Sequence, residues 1–373
     1  MVKKLLLNFH RWLGFLTGPL VFIIALTGAI YVFQEEIQDI SCHYRFYKHQ
    51  QHQSEYPPSF LLSKAQQLHP KQIIHAILYD EPGRSTRVIF YAYKQYHRVV
   101  YLNPQTATIL ADIDQETGFF PWILEGHFYL WLPEWLGQPI VAWSTLIFAL
   151  VLISGLITWL SRGNRTPKKW RFKKTQNWKR RNYDLHSLIG FYSISFGLLF
   201  ATTGLVWGFV WFQEAYYKVT SGGKTFIPYT EPKITRALHP DSTSMILDAI
   251  FANNKRGMDQ WLEIHPPETP RSCIAYNLNP DRDTYYRMDY HYFDPILKNE
   301  KRVEHIWGKY QDSSIADKLQ RANYDIHVGS ILGLLGKIIA FITSLLIASL
   351  PVTGLIIYIN RKMPKLVMKN IYD

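Results

Sequence analysis

The sequence predicts an integral membrane α+β protein: four transmembrane helices in two pseudo-symmetric halves, carrying two extracytoplasmic α+β domains. Three observations predict it. Four uncharged apolar stretches, 12–33, 139–160, 185–212 and 338–359, each reach the roughly 20 residues that cross a bilayer. The excess positive charge of +12 gathers at the N-terminus, in a central loop and at the C-terminus, which share one side if there are four spans. The second half of the chain also repeats landmarks of the first.

In chain order, residues 1–34 are the cytoplasmic N-terminus and first span. Lys3 and Lys4 give it a positive start. The apolar run outlasts a signal-peptide core, with no A-x-A-like site after it, so it reads as a retained anchor. Residues 35–126 are nearly neutral and form the first extracytoplasmic domain. There, "AQQLHPKQIIHAILYD" starts helical, and "RSTRVIFYAYKQYHRVVYLNPQTATILAD" alternates as a hairpin turning at Asn103-Pro104. Residues 127–161 hold the second span with its outer histidine, and "LWLPEWLGQP" breaks the helix before the span proper.

Residues 162–184 are a basic cytoplasmic loop, with ten Lys/Arg and no acid in its "SRGNRTPKKWRFKKTQNWKRRNY" neighbourhood. The third span follows at 185–212. The second extracytoplasmic domain, 213–326, has strands at "RSCIAYNLN" and "TYYRMDYHYFDP" and a turn at Asp294-Pro295. Residues 327–360 are the fourth span and 361–373 a basic cytoplasmic tail. By the positive-inside rule, both termini lie in the cytoplasm, so the charge reports orientation and contact with anionic lipid, not a nucleic-acid partner. Cys42 and Cys273 sit in separate extracytoplasmic segments, and their spacing leaves disulfide and free thiols equally open.

The repeat is read by aligning His10 with His186. Gly14 then meets Gly190, and Thr27-Gly28 meets Thr203-Gly204. "SGLITWLSR" (154–162) likewise meets "TGLIIYINR" (353–361), with His127 and His327 offset by one. Repeats in membrane proteins point to a site between the halves. Each span begins near a histidine: His10 and His186 at the cytoplasmic ends, His127 and His327 at the outer ends. One interfacial histidine is commonplace, but two related pairs on opposite faces favour function.

Two facing imidazoles supply both axial positions of a b-type haem and leave no open site, which suits electron transfer. The prediction is two bis-histidine haems b, one per pair, with the four histidines as iron ligands. Glycines at His10-Gly14-Gly18 and His186-Gly190-Gly197 clear room for a macrocycle or for close helix packing. Arg11 inside and Lys337 outside are placed for propionates, although a snorkelling Lys337 explains it as well. Zinc is the rival, but structural zinc usually takes four ligands, commonly with cysteine, and none lies near. No CxxCH, GxGxxG, P-loop or Ser-His-Asp pattern occurs.

"FHRWLGFLTGPLVFIIALTGAIYVFQEEI", "LHSLIGFYSISFGLLFATTGLVWG" and "IHVGSILGLLGKIIAFITSLLIASLPVTGLIIYINRK" resemble the PepSY-associated transmembrane family. "VVYLNPQTATIL" and "YHYFDPILKNEKRVEHI" look like the strand ends of PepSY domains, with Ala107 and Leu297 read where the family's "NPxTG" turn has glycine. The family includes inner-membrane reductases that release iron from ferric siderophores. The resemblance implies PepSY-like outer domains, transmembrane haem ligated by His10, His127, His186 and His327, and reduction of a ferric siderophore or other ferric chelate. The electron donor would be a membrane quinol or a cytoplasmic reductase. The alternative is a non-enzymatic PepSY protein that regulates a peptidase or senses an extracytoplasmic ligand.

Overall fold

The computed structural model describes residues 2–160, 177–254 and 256–372, with 2, 3, 240, 241 and 362–372 as backbone alone. The loop expected at 162–184 lies outside the described residues through 176, as does residue 373 of the tail. The chain divides into a helical unit (Met1–Gln34, Trp122–Gln213, Ile326–Asp373) and a sheet unit (Glu35–Pro121, Glu214–Asp325).

In the helical unit, α1 (Val2–Tyr31), α5 (Glu134–Leu160) and α12 (Gly333–Tyr372) contain the long apolar segments Lys4–Tyr31, Glu134–Leu160 and, with the preceding turn, Ser330–Arg361. Each is long and apolar enough to cross a membrane. The third span is not one straight helix: α6 (Trp178–Tyr192) and α7 (Ile194–Gly208) meet at a 57° bend across Ser193. α1 packs on α5 and α12, α5 on α7, and α12 on α6. The buried Asn182 amide of α6 donates to the Thr353 carbonyl of α12 at 3.0 Å.

Neither His127 nor His327 begins a span. His127 is in the last turns of α4 (Phe119–Tyr129), and His327 is in the short α11 (Asn323–Val328). A corner separates each from its span. At the first corner Leu130 and Trp131 adopt positive φ (56° and 57°) and Pro133 follows. Gly137 lets α5 start against α4, since a Cβ there would lie 2.2 Å from the Tyr129 carbonyl oxygen. The second corner runs through Gly329 (φ 83°) and Gly333 (φ 59°). The sequence predicts the break after His127; it predicts a fourth span continuous from 327, whereas the structure starts that span after a separate helix.

The sheet unit holds eight antiparallel strands in the order β4-β3-β2-β1-β5-β6-β7-β8. The first soluble segment gives β1 (Ile74–Tyr79), β2 (Thr86–Ala92), β3 (Tyr96–Leu102) and β4 (Ile109–Asp114). The second gives β5 (Trp261–His265), β6 (Ile274–Asn279), β7 (Asp289–Asp294) and β8 (Asn299–Glu300). The two segments, read as separate domains, therefore share one sheet. β1 joins β5 through Ile77↔Ile264 and Tyr79↔Leu262, which removes two exposed strand edges. α3 (Pro58–Gln66) and α9 (Pro240–Asn253) supply Leu61, Ala65, Leu247 and Ile250 to the core with Ile77, Val88, Phe90 and Ile264. Asp248 ties the two helices, accepting from the Ser59 amide (2.8 Å) and hydroxyl (2.6 Å).

The Asn103 and Asp294 turns are built alike. Asn103 Oδ1 accepts from the Gln105 amide at 2.9 Å, and Asp294 Oδ1 from the Ile296 amide at 3.0 Å. The left-handed positions are Ala107 (φ 56°) and Lys298 (φ 50°), so Lys298, not Leu297, holds the place read for the missing glycine. Cys42 and Cys273 are free thiols, the second buried.

Candidate functional site

The four histidines meet as two pairs in the helical unit. His10 of α1 and His186 of α6 have ring centroids 6.4 Å apart with planes at 81°. His127 of α4 and His327 of α11 have centroids 6.1 Å apart with planes at 61°. Along α1, the first pair lies at residue 10 and the second at Thr27, beside which His127 sits. Those 17 positions (27 − 10) correspond to about 25 Å of helix rise. The pairs therefore stand at two levels of one bundle.

Hydrogen bonds fix each ring's tautomer. His127 Nδ1 is 2.8 Å from the Ile24 carbonyl, and His10 Nδ1 is 3.1 Å from the Val151 carbonyl and 3.0 Å from Ser154 Oγ. A carbonyl only accepts, so Nδ1 carries the proton and Nε2 the lone pair. His186 Nδ1 lies 2.9 Å from Thr353 Oγ1, and His327 Nδ1 lies 2.8 Å from Thr203 Oγ1. Both threonine hydroxyls donate to carbonyls of their own helices, Thr353 to Ser349 at 3.0 Å and Thr203 to Leu199 at 2.8 Å. Each oxygen then accepts from Nδ1–H, and again Nε2 carries the lone pair. Nδ1–H bonded to protein with Nε2 directed to a metal is the usual arrangement of a ligating histidine.

The spacing fits one metal per pair. With metal–nitrogen bonds of about 2 Å and a nitrogen about 1.1 Å from its ring centroid, two opposed imidazoles have centroids about 6 Å apart. Among the described residues, no three His, Cys, Asp or Glu side chains converge as a metal cage. Each pair offers two donors, as many as a metal held by a planar macrocycle leaves to the protein.

A cavity of about 610 Å³ adjoins the His10–His186 pair. Gly14, Gly18 and Gly190 line it, joined by Gly155 and Gly354, while Gly18 also packs on Pro351. Gly197 does not line it. It sits beyond the Ser193 bend, where a Cβ would come 2.9 Å from Leu152, so it serves packing against α5. Aromatic pairs wall the cavity: Phe15 against Tyr358 at 4.7 Å, and Trp159 stacked on Phe191 at 4.1 Å. Arg11 lines it, with Lys4 and Arg361, so carboxylate groups of a ligand would find cations there. Lys337 is buried near the start of α12, at 7% exposure. The His127–His327 pair is flanked by Trp207 and Phe200, 5.3 and 6.1 Å from His327.

Sequence reasoning missed the groups that hold the rings. Thr27-Gly28, Ser154-Gly155, Thr203-Gly204 and Thr353-Gly354 each place a hydroxyl at Nδ1 and a glycine at Cε1 of one histidine. Their signal was on the page as a hydroxyl-glycine dipeptide in each of the four spans. Lys4 and Arg361 read in the sequence only as part of the positive charge on one side of the membrane.

No curated protein matches this sequence. The family model described as the PepSY-associated TM region matches residues 7–361, which takes in both histidine pairs, the sheet unit and most of each described apolar helix. The chain, a multi-pass membrane protein, belongs to the PepSY-associated TM region family.

Proposed function

We propose that the protein is a haem-containing transmembrane oxidoreductase of the bacterial inner membrane that passes electrons outward to reduce a ferric chelate, such as a ferric siderophore. The observation that carries this reading is the two imidazole pairs at two levels of one bundle, each at the separation of two axial ligands on one metal. His10 and His186 would hold one haem b, and His127 and His327 the other. When bound, these groups would supply one-electron transfer.

The chain's own contribution is to bind, orient and insulate. Hydroxyls and carbonyls hold each Nδ1–H, and Phe15, Trp159, Phe191 and Tyr358 give the first site an apolar wall. Arg11, Lys4 and Arg361 are suited to propionates at that site, and Lys337 is assigned the same role at the other. Both termini are cytoplasmic in this reading, so electrons enter at His10–His186. They leave at His127–His327, the histidines that directly follow the soluble segments in sequence. A quinol or a cytoplasmic reductase is the donor, one quinol yielding two electrons and two protons and so reducing two ferric ions. The Fe(II) produced binds hard anionic oxygens less tightly, so the chelate loosens without any bond in the chelator being cut.

The test is optical. Purified protein should be red, carry two haems per chain and, once reduced with dithionite, be reoxidised by a ferric siderophore while ferrozine traps Fe(II) in step. Colourless protein from haem-replete cells would exclude the reading and leave the peptidase-regulating or sensing role. Red protein that stays reduced with several ferric chelates would retain the electron-transfer site and exclude the substrate.

A further inference from the structure

The histidines are not held by their own helices. Within each half the grip is reciprocal. Thr27-Gly28 of α1 meets His127 of α4, and Ser154-Gly155 of α5 meets His10 of α1. In the other half, Thr203-Gly204 of α7 meets His327 of α11, and Thr353-Gly354 of α12 meets His186 of α6. The local construction recurs. The hydroxyl residue bonds back to a carbonyl of the preceding turn, as in Thr27 to Ile23 at 2.7 Å, Ser154 to Val151 at 2.8 Å, Thr203 to Leu199 at 2.8 Å and Thr353 to Ser349 at 3.0 Å. That bond consumes the hydroxyl proton and turns the oxygen into an acceptor aimed across the helix interface.

The following glycine faces the edge of the same ring. A Cβ would lie 2.9 Å from His127 Cε1 at Gly28, 3.1 Å from His10 Cε1 at Gly155, 3.4 Å from His186 Cε1 at Gly354 and 3.5 Å from His327 Cε1 at Gly204. Hydroxyl and glycine, joined by the Ile24 carbonyl at His127 and the Val151 carbonyl at His10, set the ring's tautomer, its rotation and its distance from the opposing ring.

We infer that these four dipeptides are the positioning residues of the haem ligands and that the hydroxyls of Thr353 and Thr203, 2.9 and 2.8 Å from Nδ1 of His186 and His327, tune the potential of the haem each ring would hold. The inference rests on the proposed haem sites. An imidazole whose Nδ1–H donates is more electron-rich at Nε2, which favours ferric over ferrous iron. Removing the acceptor therefore raises the potential of that haem alone. The glycine contacts give a ranking that simple helix packing does not: Gly28→Ala should be the most damaging, Gly155→Ala intermediate, and Gly354→Ala and Gly204→Ala the best tolerated.

The experiment combines haem counting with redox titration on purified full-length variants. Thr353→Val should keep two haems and shift one potential upward. The ferric preference should fall about tenfold, the low end for an outer-shell partner, or about 59 mV for a one-electron couple. Thr353→Ser should restore the wild-type potential. Gly28→Ala should lose the low-spin signal of the His127–His327 haem and keep that of the His10–His186 haem, which also reports that the chain has folded. Unchanged potentials in Thr353→Val, or Gly204→Ala losing more haem than Gly28→Ala, would overturn the inference while leaving the haem assignment in place. Absence of haem from the wild type would instead overturn the assignment on which it rests.

Discussion

Under the proposed haem reading, truncating His327 to alanine should remove one of two haems, and the way this loss combines with others should reveal the pairing. The ring of His327 faces His127 at 6.1 Å between centroids and is held by Thr203 at 2.8 Å. Without it, His127 is left as a single axial donor at that level. Loss of an outer-shell partner alone costs 10–100-fold in metal affinity, roughly, and loss of a direct ligand costs more. The low-spin signal should thus fall from two haems to one. Removing His127 as well should cost nothing further, because that site is already lost. Removing His186 with His327 should take the signal to zero, because each pair then lacks one member.

The assay is the dithionite-reduced-minus-oxidised spectrum with haem quantified per chain, across the four single alanine variants and these two doubles. The surviving signal in each single variant is its own control for folding, since the second pair stands about 25 Å along the helix rise. Retention of two low-spin haems in all four single variants would refute the ligand assignment. Loss that adds within a pair but not between pairs would refute the pairing.

Three further outcomes follow from the same geometry. Burial alone would raise the Asp39 carboxyl, but the hydrogen bond from Arg84 and the charges of Arg45, Arg84 and Arg282 hold its pKa below the ordinary 3.8. This stabilisation is present above the unfolded pKa and is lost as pH falls through the lower folded value. Asp39→Asn should therefore destabilise the sheet unit by about 1 kcal/mol near neutral pH, the partly exposed site being screened by solvent, and flatten the acid limb of its stability below about pH 4, both readable by chemical denaturation. Ile264→Ala, at the fully buried junction of β5 with β1, should cost about 2–5 kcal/mol and lower one shared transition for both soluble segments. Two separate transitions would contradict a single sheet. In cells lacking the two native thiols, Lys94→Cys should react with a membrane-impermeant maleimide from outside and Lys179→Cys should not, both positions being exposed. The reverse pattern would invert the proposed direction of electron flow.

What was legible in the sequence was whatever has a local signature. Apolar length marked the spans, and prolines at 133 and 139 marked the corner after His127. The matching corner after His327 has only glycines, which an apolar helix tolerates in a membrane, so it read as continuous helix. The bend at Ser193 lies in "GFYSISFG", with no proline and no glycine between Phe191 and Phe196, so nothing local announces it. The pairing of β1 with β5 joins segments more than 180 residues apart through ordinary alternating strands. Only the cost of leaving two long edges open argues for it, and that cost is a property of the whole sheet. The turn residue was misplaced for a simpler reason: Ala107 is four positions after Asn103, and the residue four positions after Asp294 is Lys298.

The histidines were legible as a set because the residues around them recur along the sequence, and in the structure their grip is reciprocal. Each half fixes one histidine at each level, using the hydroxyl and glycine of one helix to hold the ring of the other. A half by itself therefore presents one donor at each of two levels and completes neither site. The facing pairs take one member from each half: His10 with His186, and His127 with His327. Under the haem reading, a second copy of the same reciprocal unit converts two incomplete donors into two coordinatively complete irons at once. Their separation is inherited from the helix rise between residue 10 and Thr27. Thus the dipeptide register within a half sets the distance between electron carriers, and the interface between halves sets the coordination of each.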